Sequence, residues 1–280
     1  MNMKKSALAL AIAAVAAAPM AQADVTMSGY IGIILGSSDA DDAELSFASD
    51  DSTLNVSASH EMNSGLTGYG NYRTDFGLSN GGGGDADNIH IGIKGGFGDL
   101  RVGEVPDASE YGQVAGDILA DIGGEERGIS YTGSFGAATV GVNYSPEGDN
   151  DRIGAGIKFS VGGFALGVGG ANNTGADTTT LSAGASFGFG GASLAVAFKD
   201  FDNDRQTIGG KVGYSIGGVS LGLTYEAEAG DVNDGDQKIR FDAGYGLGGG
   251  IGLSTRVNVF TADDSSRDLT DYRVMITKSF

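Results

Sequence analysis

From residue 24 onward the chain alternates, position by position, between apolar residues and small or polar ones. In Arg152 to Val161, Ile153, Ala155, Ile157, Phe159 and Val161 share one parity, while Arg152, Gly154, Gly156, Lys158 and Ser160 share the other. Successive residues of an extended strand point to opposite faces, so this segment predicts a strand with one apolar and one wet side. The pattern recurs and predicts sixteen strands, at 25–36, 52–62, 66–78, 88–95, 99–104, 127–134, 138–145, 152–161, 164–172, 178–189, 192–201, 205–216, 219–229, 237–247, 251–262 and 270–280.

The connections alternate too. One set is tight and glycine-rich, as in Asn63-Ser64-Gly65, Gly95 to Gly98, Ser134-Phe135-Gly136, Gly162-Gly163, Gly190-Gly191, Gly217-Gly218 and Gly248 to Gly250. Glycine pairs supply the positive φ of two-residue hairpin turns. The other set is longer and acidic: Asp39 to Glu44, Gly81 to Asp87, Asp200 to Asp204, Asp231 to Asp236 and Asp263 to Asp268. A soluble sandwich seldom alternates its connections so regularly, and a repeat solenoid would show a fixed sequence period, which is absent. A closed barrel explains both the even strand count and the alternation. The fold expected is all-β: a 16-stranded antiparallel transmembrane β-barrel with short periplasmic turns and longer external loops.

The first 23 residues carry a separate signal. Lys4 and Lys5 precede the apolar stretch Ala7 to Ala18, Pro19 breaks it, and Ala21-Gln22-Ala23 offers a small-x-small cleavage site. Residues 1–23 are therefore read as a secretory signal peptide and 24–280 as the barrel domain. Without Lys4 and Lys5, the 17 basic residues fall to 15 against 36 acidic ones, a charge of −21. Such a surface repels nucleic acid and attracts cations. There is no cysteine, and His60 and His90 are the only imidazoles, so thiolate chemistry is excluded and histidine-based hydrolysis nearly so. The chain is read as no enzyme, with no catalytic residue.

Charge placement tells which face meets lipid. Arg or Lys on a lipid face costs ~2–4 kcal/mol at the bilayer midplane. Arg73, Lys94, Arg101, Arg152, Lys158, Lys199, Arg205, Lys211, Lys238, Arg240, Arg256 and Arg273 all fall on the wet parity; Arg127, Arg267 and Lys278 fall in loops or at strand ends. Glu61, Asp75, Glu226, Glu228, Asp242 and Asp271 share that wet parity. The wet face is thus an aqueous lumen, and its small residues (Gly154, Gly156, Gly167, Gly169, Gly184, Gly209, Gly213, Gly222, Gly244) are expected to leave it roomy. Phe164, Phe187, Phe189, Tyr272 and Phe280 sit near strand ends on the lipid side, where aromatic girdles belong.

One connection breaks the rule. Residues 105–126 run for 22 residues without Lys or Arg, and carry Asp107, Glu110, Asp117, Asp121, Glu125 and Glu126. Val114, Ile118, Leu119 and Ile122 give this stretch apolar anchors, so it reads as a packed loop.

Three segments resemble the trimeric general-diffusion porins of Gram-negative outer membranes. Asp24-Val-Thr-Met-Ser-Gly-Tyr30 is similar to their opening strand, Phe97-Gly-Asp-Leu-Arg-Val-Gly-Glu104 to the strand leading into their constriction loop, and Tyr272 to Phe280 to their closing strand. The chain is short for that family, and Ala108-Ser109-Glu110-Tyr111-Gly112 stands where a Pro-Glu-Phe-Gly run is usual. The resemblance implies that 105–126 folds inward as the constriction loop, its carboxylates facing Arg73, Lys94, Arg101 and Arg273 on the basic lumen wall. Lys158, Lys211, Arg240, Arg256, Asp75 and Asp242 are the further lumen charges. It also implies a homotrimer, with strands 25–36 and 52–62 in contact through Gly29, Gly32 and Ala58. Phe280 would be the signal read by the barrel-assembly machinery, and outer-membrane lipid and lipopolysaccharide would surround the barrel.

Other sites fail on their residues. Gly81 to Gly84 is followed by neither Gly-Lys-Ser/Thr nor a helix. Asp200 to Asp204 begins like a calcium loop, but Arg205 and Lys211 occupy positions that require Gly and Glu. Glu226 and Glu228 read as a solvated wall. No cofactor or metal site is expected, although loose calcium binding by the acidic loops stays open. The function expected is a passive, weakly cation-preferring outer-membrane pore for small hydrophilic solutes and ions. The alternatives are a solute-selective channel, which would show an aromatic track in the lumen, and a non-conducting surface barrel.

Overall fold

Two-residue periodicity with turn signals every ten or so residues leaves each strand hydrogen bonds to make on both edges, and a closed ring satisfies them all. The computed structural model describes residues 24–38, 45–76, 85–114, 118–119, 126–146, 151–202, 205–230, 235–263 and 268–280. The signal-peptide reading of 1–23 lies outside them. The strands are β1 (Asp24–Ser38), β2 (Ser46–Glu61), β3 (Thr67–Phe76), β4 (Asp85–Gly95), β5 (Gly98–Val105), β6 (Glu126–Phe135), β7 (Ala138–Ser145) and β8 (Arg152–Val161). They continue as β9 (Phe164–Asn173), β10 (Thr178–Phe189), β11 (Ala192–Phe201), β12 (Arg205–Ile216), β13 (Val219–Gly230), β14 (Gln237–Gly248), β15 (Ile251–Thr261) and β16 (Leu269–Ser279).

Each strand pairs antiparallel with its chain neighbours, and β1 pairs with β16 to close a 16-stranded barrel. At the seam the Gly29 amide donates to the Phe280 carbonyl at 3.0 Å, and the Phe280 amide returns a bond to Gly29 at 3.1 Å. Tight turns join the strands at one end; Gly162 and Gly163, with φ of 58° and 82°, have the handedness that two-residue hairpins need. Among the described residues no helix is long and apolar enough to cross a membrane. Strands make the crossing.

The two faces separate as the parity predicts. Ile153, Ile157, Phe159 and Val161 stand exposed around the outside, as do Phe164, Phe187, Phe189 and Tyr272. Exposed apolar side chains around a closed barrel form a lipid-facing band. Lys199, Thr207, Ser182, Asn143 and Asn258 are buried on the inner face.

Three expectations change. β2 starts at Ser46, six positions before the expected 52, because the β1–β2 register shifts between Tyr30 and Gly32. A bulge of this kind breaks a parity pattern without ending the strand. Ser52 Oγ accepts from the Gly32 amide there at 3.1 Å, replacing a ladder bond. β4 starts at Asp85 instead of 88, again across a register shift, with Asn88 at φ 53°. Gly32 pairs with Thr277 on the lumen parity, and Gly29 lies under the Phe280 ring. Neither glycine supplies the bare outer wall expected of a subunit contact.

Candidate constriction and lumen wall

The connection after β5 folds into the barrel and lies along the inner wall. Asp107 starts a short 3-10 helix, Ala108–Gly112, its Oδ1 accepting from the Ser109 amide at 2.9 Å and its Oδ2 from Ser109 Oγ at 2.8 Å. A side-chain cap of this kind satisfies a donor that the first turn leaves open. Arg152, opening β8, donates through Nε to Asp107 Oδ2 at 3.1 Å and through Nη2 to the same oxygen. Arg152 Nε also lies 3.4 Å from Glu126 Oε1. The Ala108 amide donates to Asn143 Oδ1 at 2.9 Å, and Ser182 Oγ donates to the Ser109 carbonyl. β7, β8 and β10 thereby each hold the loop by a side chain.

Glycine makes the bed. A Cβ on Gly156 would meet Tyr111 Cβ at 2.6 Å, and one on Gly169 would meet the Ala108 carbonyl at 2.7 Å. Gly167 and Gly184 face the Tyr111 and Gly112 carbonyls in the same way. Further along, Ile118 and Leu119 are buried on Ala195 and Ala197 and fill the space over Gly209. The expectation that these glycines leave open water is therefore corrected for Gly154, Gly156, Gly167, Gly169, Gly184 and Gly209, which accommodate the loop and its supports. Gly213, Gly222 and Gly244 face only atoms of the barrel wall itself.

The loop carboxylates do not act alike. Asp107 is 1% exposed and fully engaged, so it anchors the loop and presents no charge to the channel. Glu126 opens β6 beside Arg152, and Glu110 lies half-buried in the 3-10 turn. Asp117, Asp121 and Glu125 lie outside the described residues.

Three of the four expected basic residues come together. Arg73, Lys94 and Arg101 line one cavity of about 560 Å³ against β2 to β5, shared with Asn55, Asn71 and His90. Tyr69 is its centre: its hydroxyl donates to Asp99, and its ring has Lys94 Nζ at 5.3 Å and Arg101 Cζ at 5.9 Å from its centroid. Arg101 donates to Asp99 Oδ2 at 3.0 Å, and Arg73 Nε to Asp75 Oδ1 at 2.9 Å. Arg273 is elsewhere, on β16, with its Nε 3.1 Å from Asp271 and Arg256 as its cross-strand neighbour. Asp242 holds Arg256 at 2.6 Å and Arg240 at 3.1 Å. Lys158 and Lys211 project from β8 and β12 beside Gly167 and Thr224.

Asp99, Tyr69, Asn143 and Ser182 were not singled out from the sequence. Asp99 was within reach, since it shares the parity of Arg101; its place beside a turn hid it. Among the described residues no group of three or more His, Asp or Glu side chains is arranged to hold a metal.

A barrel of sixteen strands with an inward loop on one wall and basic residues on another defines a porin-type channel. The sequence profile described as Gram-negative porin matches residues 7–268, and the chain belongs to that family. No curated protein matches the sequence. Among solved structures, the chain is similar to an anion-selective porin from Comamonas acidovorans at 17% identity and TM-score 0.76, covering 92% of this chain and 100% of that one. An engineered variant of the Rh. blastica porin matches at 15% identity and TM-score 0.76, over 92% and 100%. A loop-deletion mutant of OmpT, an outer membrane protein of Vibrio cholerae, matches at 16% and 0.72, over 92% and 99%. These likenesses are of fold. The chain is an outer-membrane, multi-pass β-barrel and a diffusion pore of the porin family.

Proposed function

We propose that the pore passes small hydrophilic solutes and ions passively, and that it works as a homotrimer. One observation carries the reading: the loop, from Asp107 and Tyr111 to Ile118 and Leu119, packs on the wall from β7 to β12, while open space remains beside Arg73, Lys94 and Arg101. A loop held flat narrows a channel without sealing it, and sixteen strands enclose a water-filled bore. That favours conduction over a non-conducting surface barrel.

Ion preference is the finer part of the reading. The weak cation preference expected from the sequence rests on the acidic external connections, with the basic lumen wall and the carboxylates of 105–126 taken to cancel; one structural relative is described as anion-selective. We assign the cation preference to the external mouth, where the long acidic connections lie. Loose calcium binding by those connections belongs to the same proposal. Single-channel recording in planar bilayers, with the dilute salt on the external side, tests it. Stepwise conductance with a cation-signed reversal potential is expected; a purified, folded barrel giving no conductance steps would remove the pore reading altogether.

A further inference from the structure

We infer that the channel is polarised along its axis, receptive to cations at its external mouth and to anions in its periplasmic half. Its ion preference then changes sign with the direction of a salt gradient. The inference rests on the pore reading above.

Strand position gives depth, because the tight turns all lie at one end. Lys94 stands two residues before the turn that starts at Gly96, Lys158 four before Gly162, and Lys211 six before Gly217. At about 3.3 Å per residue and a tilt near 40°, these lie roughly 5, 10 and 15 Å above the short-turn end. All three share the lumen parity, and none makes an ion pair among the described residues. Lys158 is flanked across strands by Thr139 and Gly167, and Lys211 by Ala195 and Thr224. Lys94 faces Asp99, but that carboxylate is taken by Arg101 and Tyr69. The lumen arginines Arg73, Arg152, Arg240, Arg256 and Arg273, by contrast, are each matched to a carboxylate.

The opposing charge is at the other end. The seven tight turns contain no charged residue, and the acids no farther from them than Lys211 are Asp24, Glu61, Asp99 and Asp242. The bases of that half, to the depth of Lys211, are Lys94, Arg101, Lys158, Lys211, Arg256 and Lys278. Among the described residues, which hold 23 acids and 14 bases, removing both sets leaves 19 acids against 8 bases toward the external side. An excess of 11 acids outside, facing unpaired lysines inside, is a dipole along the path of permeation.

Screening turns the dipole into a direction-dependent preference. The Debye length is ~30 Å at 0.01 M and ~3 Å at 1 M salt. The fixed charge at the dilute end therefore acts across the bore, while that at the concentrated end is masked.

The test uses the full-length mature chain in a planar bilayer with potassium chloride at about 0.01 M and about 1 M on opposite sides. Orientation is read with Ser64→Cys in the first tight turn, since the chain has no cysteine of its own. A bulky impermeant thiol reagent then blocks only pores presenting that turn. Reversal potentials should be cation-signed with dilute salt outside and anion-signed with dilute salt on the turn side. Lys94→Gln/Lys158→Gln/Lys211→Gln should keep the first and lose the second; the corresponding triple Arg variant should behave as wild type. Fold is checked by a heat-modifiable band, and Lys158→Gln alone gives a partial shift should the triple variant fail to assemble. The same sign in both directions, or a triple Gln variant that still reverses, overturns the polarity while leaving a conducting pore. Absence of conductance in every arm overturns the pore reading with it.

Discussion

The Asp107 carboxylate, wholly buried, accepts from Arg152 Nε at 3.1 Å and so ties the inward loop to the first residue of β8. Forty-five positions separate the two residues, and the contact fixes where the loop leaves the wall. Removing one partner of a buried pair costs about 3–5 kcal/mol where the survivor is left uncompensated, and less here because Glu126 still lies 3.4 Å from Arg152. Asp107→Ala should therefore release the start of the loop while the barrel ladder stays intact. The expected outcome is a noisier channel of altered conductance with an unchanged heat-modifiable band. An open-channel trace as quiet as wild type would show that the other tethers, Asn143 and Ser182, suffice.

The glycine bed makes a second prediction. Gly156→Val places atoms where Tyr111 Cβ would be 2.6 Å from the new Cβ. Overpacking of this kind costs about 1–3 kcal/mol, and the loop is the softer partner. It should move toward the channel axis and lower the unitary conductance. Gly222→Ala is the control, since its Cβ meets Asp242 Cβ at an ordinary 3.7 Å. Equal conductance in the two variants would mean that the loop does not narrow the bore.

These two cases mark how much the sequence discloses. Strands and turns were legible because parity and Gly-Gly pairs are local signals; β8 was expected at 152–161 and is found there. β2 begins earlier than its parity indicates because a bulge opposite Tyr30 and Gly32 puts an extra residue into β2 and shifts its alternation. The lumen glycines are visible as small residues on the wet face, but whether water or a loop fills their space depends on a segment up to 91 residues away, as with Gly209 and Ile118. Asp107 looked like any loop carboxylate, and only the partner on β8 makes it an anchor.

The seam gives a third prediction. The Phe280 ring covers Gly29, where a Cβ would meet ring carbons Cε2 at 2.7 Å and Cε1 at 2.9 Å. Gly29→Val should displace the ring, at a cost of about 1–3 kcal/mol. The temperature at which the folded band disappears on an electrophoresis gel should fall. Deleting Phe280 should go further and lower the amount of barrel in the outer membrane, as expected if that residue is read during assembly. Undiminished levels after the deletion would leave Phe280 with a packing role only.

Subunit association can be tested separately. Met27, Ile31 and Ile33 of β1 are exposed on the lipid side, although Gly29 and Gly32 are covered or turned inward. The contact wall of the proposed trimer then rests on large apolar side chains and Ala58. Detergent-extracted protein run unheated should migrate as a trimer, and Ile31→Arg/Ile33→Arg should shift it to the monomer position. A mass measurement giving one chain for the wild type would end the trimer proposal.

The last prediction concerns the inward loop's own charge. Asp107 contributes none to the channel, so the loop's influence on permeation falls to Glu110 and to the acids expected around it in sequence, Asp117 and Asp121. If these line the narrowest section, they offset the basic wall of Arg73, Lys94 and Arg101 locally, whatever the polarity of the two mouths. Neutralising them as Glu110→Gln/Asp117→Asn/Asp121→Asn should move the reversal potential toward anions in both gradient directions, most at low salt where the Debye length approaches ~30 Å. The control is Asp263→Asn, an external acid beyond the strands, which should act only when the dilute salt is outside. Reversal potentials that the triple variant leaves untouched would place those carboxylates away from the constriction and assign the loop a steric role alone.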